Sequence, residues 1–169
     1  MPQDVFLFSD TVSNNVSFGR PDATPEQIRK AAQQASVLKE IESLPEGFDT
    51  IVGERGVTLS GGQKQRISLA RALIKEPAIL ILDDCLSAVD AQTEHTIISY
   101  LNEYLIDRTA LLITHRIFAS MNFDKILVIE NGEIAEQGTH EQLLNNGGIY
   151  ASLHEKQLSE NTNGNKVTV

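Results

Sequence analysis

Residues 58–90 read TLSGGQKQRISLARALIKEPAILILDDCLSAVD, and the order of parts in this stretch decides the fold. Ser60 stands three residues before Gln63, the spacing of a capping box, so a helix is predicted to begin after Ser60 and to run to about Lys75. Ile67, Ala70, Leu73 and Ile74 fall at helical spacing on its inward side, with Lys64, Gln65 and Arg66 at an exposed start. Pro77 closes the following turn. Ile79-Leu80-Ile81-Leu82 is then a continuous apolar run of strand length, as expected of a central strand covered on both faces. It ends in two adjacent carboxylates, Asp83 and Asp84, after which Asp90 is placed to cap another helix through about Ile106. A buried strand between two helices, with its polar groups gathered at the strand's C-terminal end, is the arrangement in which α/β folds hold ligands.

The glycines of Leu59-Ser60-Gly61-Gly62-Gln63 carry the first chemical signal. They bare the backbone at a helix start, where unpaired N–H groups and the positive end of the helix dipole face outward, and a phosphate is the natural guest of such a corner. For these five residues alone, an ordinary cap followed by a turn explains the pattern equally well.

Outward from this stretch, Val5 to Phe8 is a short apolar strand or anchor, and Asp10 to Gly19 shows no clear period and is expected to be irregular. Thr24, Pro25 and Gln27 combine an N-cap, a proline at the first helical position and a capping box, so a helix is expected to about Ser43. Three glycines among charged residues before Thr58 predict an exposed loop. Downstream, Thr109 to Thr114 and Lys125 to Glu130 are expected strands, and Asn131-Gly132 is a hairpin turn into Glu133 to Gln137. Thr139 with Gln142 forms a third capping box, and a last helical piece is expected to reach about Lys156, leaving a polar tail over 157–169.

Composition narrows the function. The 169 residues are 41% hydrophobic, enough for one domain with a core, and carry a net charge of -9. That acidity disfavours nucleic acid as a partner, because affinity for phosphate backbones rests on clustered Lys and Arg. Cys85 is the single cysteine, so no internal disulfide forms, and it is expected to fill space beside the carboxylates. His95, His140 and His154 lack ligand spacing. No apolar run approaches the roughly 20 residues of a membrane-spanning helix.

Read together, L-S-G-G-Q-K-Q-R-I-S-L-A-R-A-L resembles the signature motif and following helix of ATP-binding cassette (ABC) proteins. In the same order, Gln3 in M-P-Q-D resembles the Q-loop, I-L-I-L-D-D the Walker B strand, Ser87-Ala88-Val89-Asp90 the D-loop and His115 in I-T-H-R the switch histidine. Gly53-Glu54-Arg55-Gly56 resembles an element of exporter-type members that lies near the coupling helices of transmembrane domains. The likeness extends to about Tyr150. It implies an α/β fold: part of a P-loop NTPase core, mostly parallel sheet with a C-terminal hairpin, over 76–156, plus an ABC helical subdomain over about 10–75.

The resemblance also implies roles. ATP and Mg²⁺ are the expected cofactors, with Asp83 and Gln3 toward the metal and Asp84, His115 and Gln3 toward the reacting phosphate. Leu59, Ser60, Gly61, Gly62 and Gln63, with Ser87, Ala88 and Asp90, would serve the nucleotide held by a second nucleotide-binding domain. The other implied partner is a transmembrane domain, which places the chain at the cytoplasmic face of a membrane. Two departures qualify this picture. No Gly-Lys dipeptide occurs, so the G-x-x-x-x-G-K-[ST] phosphate loop is absent and the chain as it stands is expected to bind ATP feebly and to turn over none. Asp84 stands where the family usually has Glu, which draws the carboxylate back by about 1.5 Å and suggests a weak site. The chain could therefore be the degenerate, regulatory half of a heterodimeric exporter. A soluble ABC ATPase of another kind is the remaining alternative, and the acidic balance and the Gly53–Gly56 element argue against it.

Overall fold

Side chains that grip their own helix start set most of the helix boundaries. In the computed structural model of the chain, which describes residues 1, 5–53 and 56–164, Thr24, Ser60 and Thr139 each accept the N–H of the glutamine three residues on. Each glutamine side chain returns to the cap's own N–H, so all three capping boxes are closed. Asp90 accepts the N–H of Thr93 in the same way and so fixes the start of its helix. These starts define α2 (Pro25–Gln34), α4 (Gly61–Leu73), α5 (Ala91–Tyr104) and α6 (His140–Asn145).

The chain forms two compact units, residues 1–114 and 115–169. In the first, the segment expected to be irregular is ordered: Asp10–Thr11 is a short strand, β1, and Val12–Ser17 a helix, α1. A single polar residue organises it. Asn15 is wholly buried, its Oδ1 accepting from Phe8 N–H (2.9 Å) and Arg71 Nη2 (2.8 Å), while its Nδ2 donates to the carbonyls of Phe8 and Thr11. A fully satisfied amide of this kind orders a loop that has no hydrophobic period of its own.

The helix expected from Pro25 to Ser43 is broken into α2 and α3 (Leu38–Glu42). Ser36 between them has φ of 55°, a left-handed conformation that ends a helix, and its carbonyl accepts Arg66 Nη1 at 2.7 Å. Antiparallel β2 (Ile51–Val52) pairs with β1, and α1 and α2 both pack on α4, with Val12, Val16, Ile28, Ala31, Ala32 and Ile67 of these helices buried. Fully burying each of the large aliphatic chains contributes on the order of 1.5–3 kcal/mol.

The expected strand 79–82 is β3 (Ile79–Asp83), paired in parallel with β4 (Thr109–Ile113). Met1 lies along its other edge, its N donating to Ile81 O (2.6 Å) and its carbonyl accepting Asp83 N–H (3.0 Å). Coverage of both faces does not hold: Leu80 and Leu82 are buried, whereas Ile79 is 64% exposed and Ile81, Leu111 and Ile113 on the same face are exposed with it. A parallel strand alternates in this way only where one side of its sheet lacks a neighbour.

In the second unit the Asn131-Gly132 turn joins antiparallel β5 (Ile126–Glu130) and β6 (Glu133–Gly138) as expected, both turn residues having positive φ. Glu136 of β6 accepts the N–H groups of Ile149 and Tyr150 and so anchors the start of α7 (Ile149–Gly164). That helix continues beyond Lys156. Gln157, expected in a loose tail, hydrogen-bonds both backbone groups of Ile117.

Candidate functional site

The corner at Ser60 is built as its sequence suggests. Ser60 is in extended conformation, its Oγ accepting Gln63 N–H (3.2 Å) and its own N–H donating to Gln63 Oε1 (2.9 Å). Leu59 behind it is buried, while Ser60 and Gly61 are exposed. The leading amides of a helix lack carbonyl partners within it, so this first turn of α4 offers N–H groups beside a hydroxyl with no side chain over Gly61.

The two glycines have separate reasons. A Cβ on Gly61 would lie 3.5 Å from Ala88 Cβ, in ordinary contact, but one on Gly62 would lie 2.6 Å from the Ala88 carbonyl oxygen. Gly62 is therefore required by close approach of the 84–88 loop and is buried there, whereas Gly61 keeps the outer face open.

That loop follows the paired carboxylates. Asp83 is half-buried at the end of β3, and Asp84, buried, has φ of 44°, a left-handed conformation that Asp tolerates better than most residues. Asp84 N–H donates to Ile113 O (2.8 Å), which carries the β3–β4 pairing one step past the strand, and its carbonyl accepts Ser87 Oγ (3.1 Å). Ser87, Ala88 and Asp90 are exposed. Asp90 lies beyond the loop, where the Thr93 backbone N–H it accepts holds its carboxyl below the usual value.

The expected exposure of Gln65 and Arg66 is overturned. Both are buried, because each finds specific partners outside the helix. Gln65 reaches the 84–88 loop, and Arg66 pairs with Glu40 through Nη1 (2.9 Å) and Nη2 (2.8 Å) while its Nε donates to Gly62 O. Such partners are invisible to periodicity, which places charged and amide residues outward by default.

Cys85 is buried beside the carboxylates, and burial pushes its thiol up to about 12, which makes it inert filler at neutral pH. His115 begins the second unit and is exposed. Gln3, Glu54 and Arg55 lie outside the described residues. The structure thus brings Gly61 and Gly62 against Ala88, and Ser87 against Asp84, within the first unit.

One surface escaped the sequence reading. Phe6 and Phe18 are 67% and 61% exposed, joined through Phe8 by ring contacts of 5.2 and 4.6 Å, with the Arg71 guanidinium 5.4 Å from the Phe8 ring. Nearby, Val5, Leu7, Gly53, Val57, Leu59 and Lys64 line a cavity of about 340 Å³. Aromatic rings held in the open beside a cation mark a contact surface more often than a stray exposure. The Phe-Leu-Phe run at 6–8 was the available signal.

Among the described residues no group of three or more His, Cys, Asp or Glu converges to hold a metal, and Mg²⁺ binds through one or two carboxylates plus phosphate oxygens and water. Asp83 at an open strand end meets that requirement.

Comparison with known proteins identifies the family. The family model described as ABC transporter matches residues 1–87. The chain is 50% identical over 158 residues to the ABC transporter ATP-binding protein YknU of Bacillus subtilis (strain 168), covering 94% of this chain and 27% of that protein. It is 47% identical over 158 residues to an ATP-dependent lipid A-core flippase of Chromobacterium violaceum, again 94% of this chain and 27% of the relative. Among solved structures, a bacterial Atm1-family ABC exporter with ATP bound superposes with a TM-score of 0.85 at 43% identity, over 92% of this chain and 27% of that one. The chain therefore spans about a quarter of the length of these relatives.

Proposed function

The chain belongs to the ABC transporter family, and from that premise we propose that it is the later part of an exporter's nucleotide-binding domain, whose whole form hydrolyses ATP to drive transport. The observation that carries this reading is the joining of the Ser60 corner to the 84–88 loop through Gly62 and Ala88, which ties a phosphate-type anion corner to the carboxylate-bearing strand end. In the proposed assembly Leu59 to Gln63, with Ser87, Ala88 and Asp90, face the nucleotide of a second nucleotide-binding domain. Asp83, Asp84, His115 and Gln3 serve the chain's own site.

Each residue's part follows from its chemistry. Asp83 would hold Mg²⁺ with Gln3, and the metal supplies charge neutralisation at the phosphates when bound. Asp84 would orient the attacking water, and His115, exposed at a strand exit, would hold the terminal phosphate group. Ser60 Oγ and the first-turn amides of α4 donate to phosphate oxygens. The phosphate loop and the adenine-stacking aromatic would come from sequence outside this chain, and without them the 169 residues are expected to bind ATP weakly and not to turn it over. Among the described residues no helix is long and apolar enough to cross a membrane. Membrane attachment is assigned to a transmembrane domain, as in the exporters the chain resembles, docked on the Phe6–Phe18 surface.

Asp84 favours a second reading, in which this half is regulatory and completes a partner's active site while its own stays nearly silent. A carboxylate misplaced by about 1 Å can cost on the order of 100-fold in rate. The ATPase rate of the full-length protein carrying Asp84→Glu decides between them. A gain of about 10- to 100-fold identifies a degenerate site, whereas an unchanged or lower rate means that Asp84 already positions the water and the half is a working ATPase.

A further inference from the structure

Beneath the Ser60 corner lies a contact that the roles above do not use. Gln65, 7% exposed, projects from α4 into the 84–88 loop. Its Nε2 donates to Ser87 Oγ (2.9 Å) and, at 3.5 Å, to the Asp84 carbonyl, while its Oε1 accepts Ala88 N–H at 3.0 Å. Ser87 Oγ donates in turn to the same Asp84 carbonyl. One carboxamide thus matches the donors and acceptors of three loop residues. One turn earlier, Gly62 lets the helix backbone approach the Ala88 carbonyl. These are two independent fastenings of one loop to one helix end.

From this geometry we infer that Gln65 is a positioning residue that locks the 84–88 loop to the first turn of α4. The corner facing a neighbouring protomer's nucleotide and the carboxylate pair of the chain's own site then share one geometry, and a displacement of either is transmitted to the other. The inference rests on the family reading for the identity of the two half-sites, but the fastening itself does not.

Chemistry selects glutamine. Asparagine is shorter by about 1.5 Å and cannot span to Ala88. Leucine keeps the volume but offers nothing to Ser87 or Ala88, both of which are exposed and can turn to water instead. The exposed Ser87–Ala88 end of the loop thus pays little in stability for losing Gln65 and gains freedom to move. Coupling carried by one amide should therefore appear as loosened geometry rather than unfolding.

The test uses the full-length protein and compares wild type, Gln65→Leu, Ser87→Ala and the double variant. Hydrogen exchange is followed in peptides covering 84–90 and 67–73, alongside kcat and KM for MgATP hydrolysis. For Gln65→Leu, exchange at 84–90 should rise about tenfold, the weight of one net hydrogen bond, with 67–73 unchanged. Its kcat should fall about tenfold or more while KM stays within about twofold. In exchange at 84–90, Ser87→Ala, the gentler change, should loosen the loop less and add nothing to Gln65→Leu in the double variant; its kinetics carry no weight here, because Ser87 itself faces the partner's nucleotide. Unchanged exchange at 84–90, equal loosening of 67–73, strict additivity, or a rise in KM alone would each overturn the inference. If the wild type shows no ATPase activity, the proposed function falls, and the exchange contrast still decides the clamp.

Discussion

Asp90 shows how one exposed carboxylate can make part of the fold sensitive to acid. It accepts Thr93 N–H at 3.0 Å at the start of α5, and this backbone bond is the largest cause holding its carboxyl below the ordinary value of 3.8. Asp10 is likewise lowered, first by the Asn14 side chain and then by Thr11 N–H. A carboxyl depressed in the folded state contributes stability that is complete above its unfolded pKa and is lost as pH falls through the folded one. Thermal midpoints recorded from neutral pH downward should therefore hold steady until near the ordinary carboxylate value and then decline. Asp90→Asn, which keeps an acceptor at the cap, should make that decline shallower; an identical acid limb would show that the cap contributes no pH dependence. Asp90 was legible in the sequence because a cap acts within three residues of itself. Asn15 was not, since its partners Phe8 and Arg71 lie 7 and 56 residues away and nothing local announces them.

Among the elements, α4 holds most of the site, and its glycines can be separated by experiment. Gly62→Ala would put a methyl 2.6 Å from the Ala88 carbonyl, so helix and loop must part, at a cost of about 1–3 kcal/mol. Gly61→Ala meets only ordinary contact and should change stability by less than about 0.5 kcal/mol. Denaturant unfolding of the two variants checks the contrast, and equal effects would remove close packing as the reason for Gly62. The start of α4 was readable from Ser60 and Gln63 alone. Its inward face was only half readable: the aliphatic residues obeyed helical spacing, but Gln65 and Arg66 are buried by partners on the 84–88 loop and on Ser36 and Glu40. The same long-range pull on Ser36 explains why one expected helix became α2 and α3. Capping is local and therefore visible; tertiary hydrogen bonds are not.

For the whole chain, alternating exposure along β3 has a solution consequence. Ile79, Ile81, Leu111 and Ile113 form an apolar sheet face open to water, a surface that drives association in proteins of this size. Light scattering of the 169-residue chain should show mass rising with concentration, and Ile81→Lys combined with Ile113→Lys should reduce it; a constant monomer mass for the unaltered chain would contradict this. The parallel strand, the hairpin and the order of motifs were legible because each rests on a local pattern. The apolar run alone did not show the open face, because a continuous apolar run looks the same whether one or both of its sides are covered. Central to the account is the claim that the Ser60 corner serves a nucleotide seated on a neighbouring protomer. The most direct measurement is the structure of the full-length dimer trapped with a nonhydrolysable ATP analogue and Mg²⁺. The account predicts Ser60 Oγ and the first-turn amides of α4 within hydrogen-bond reach, about 3 Å, of the terminal phosphate bound by the partner protomer. A dimer in which that corner faces solvent, with the nucleotide fully enclosed by one protomer, would contradict it.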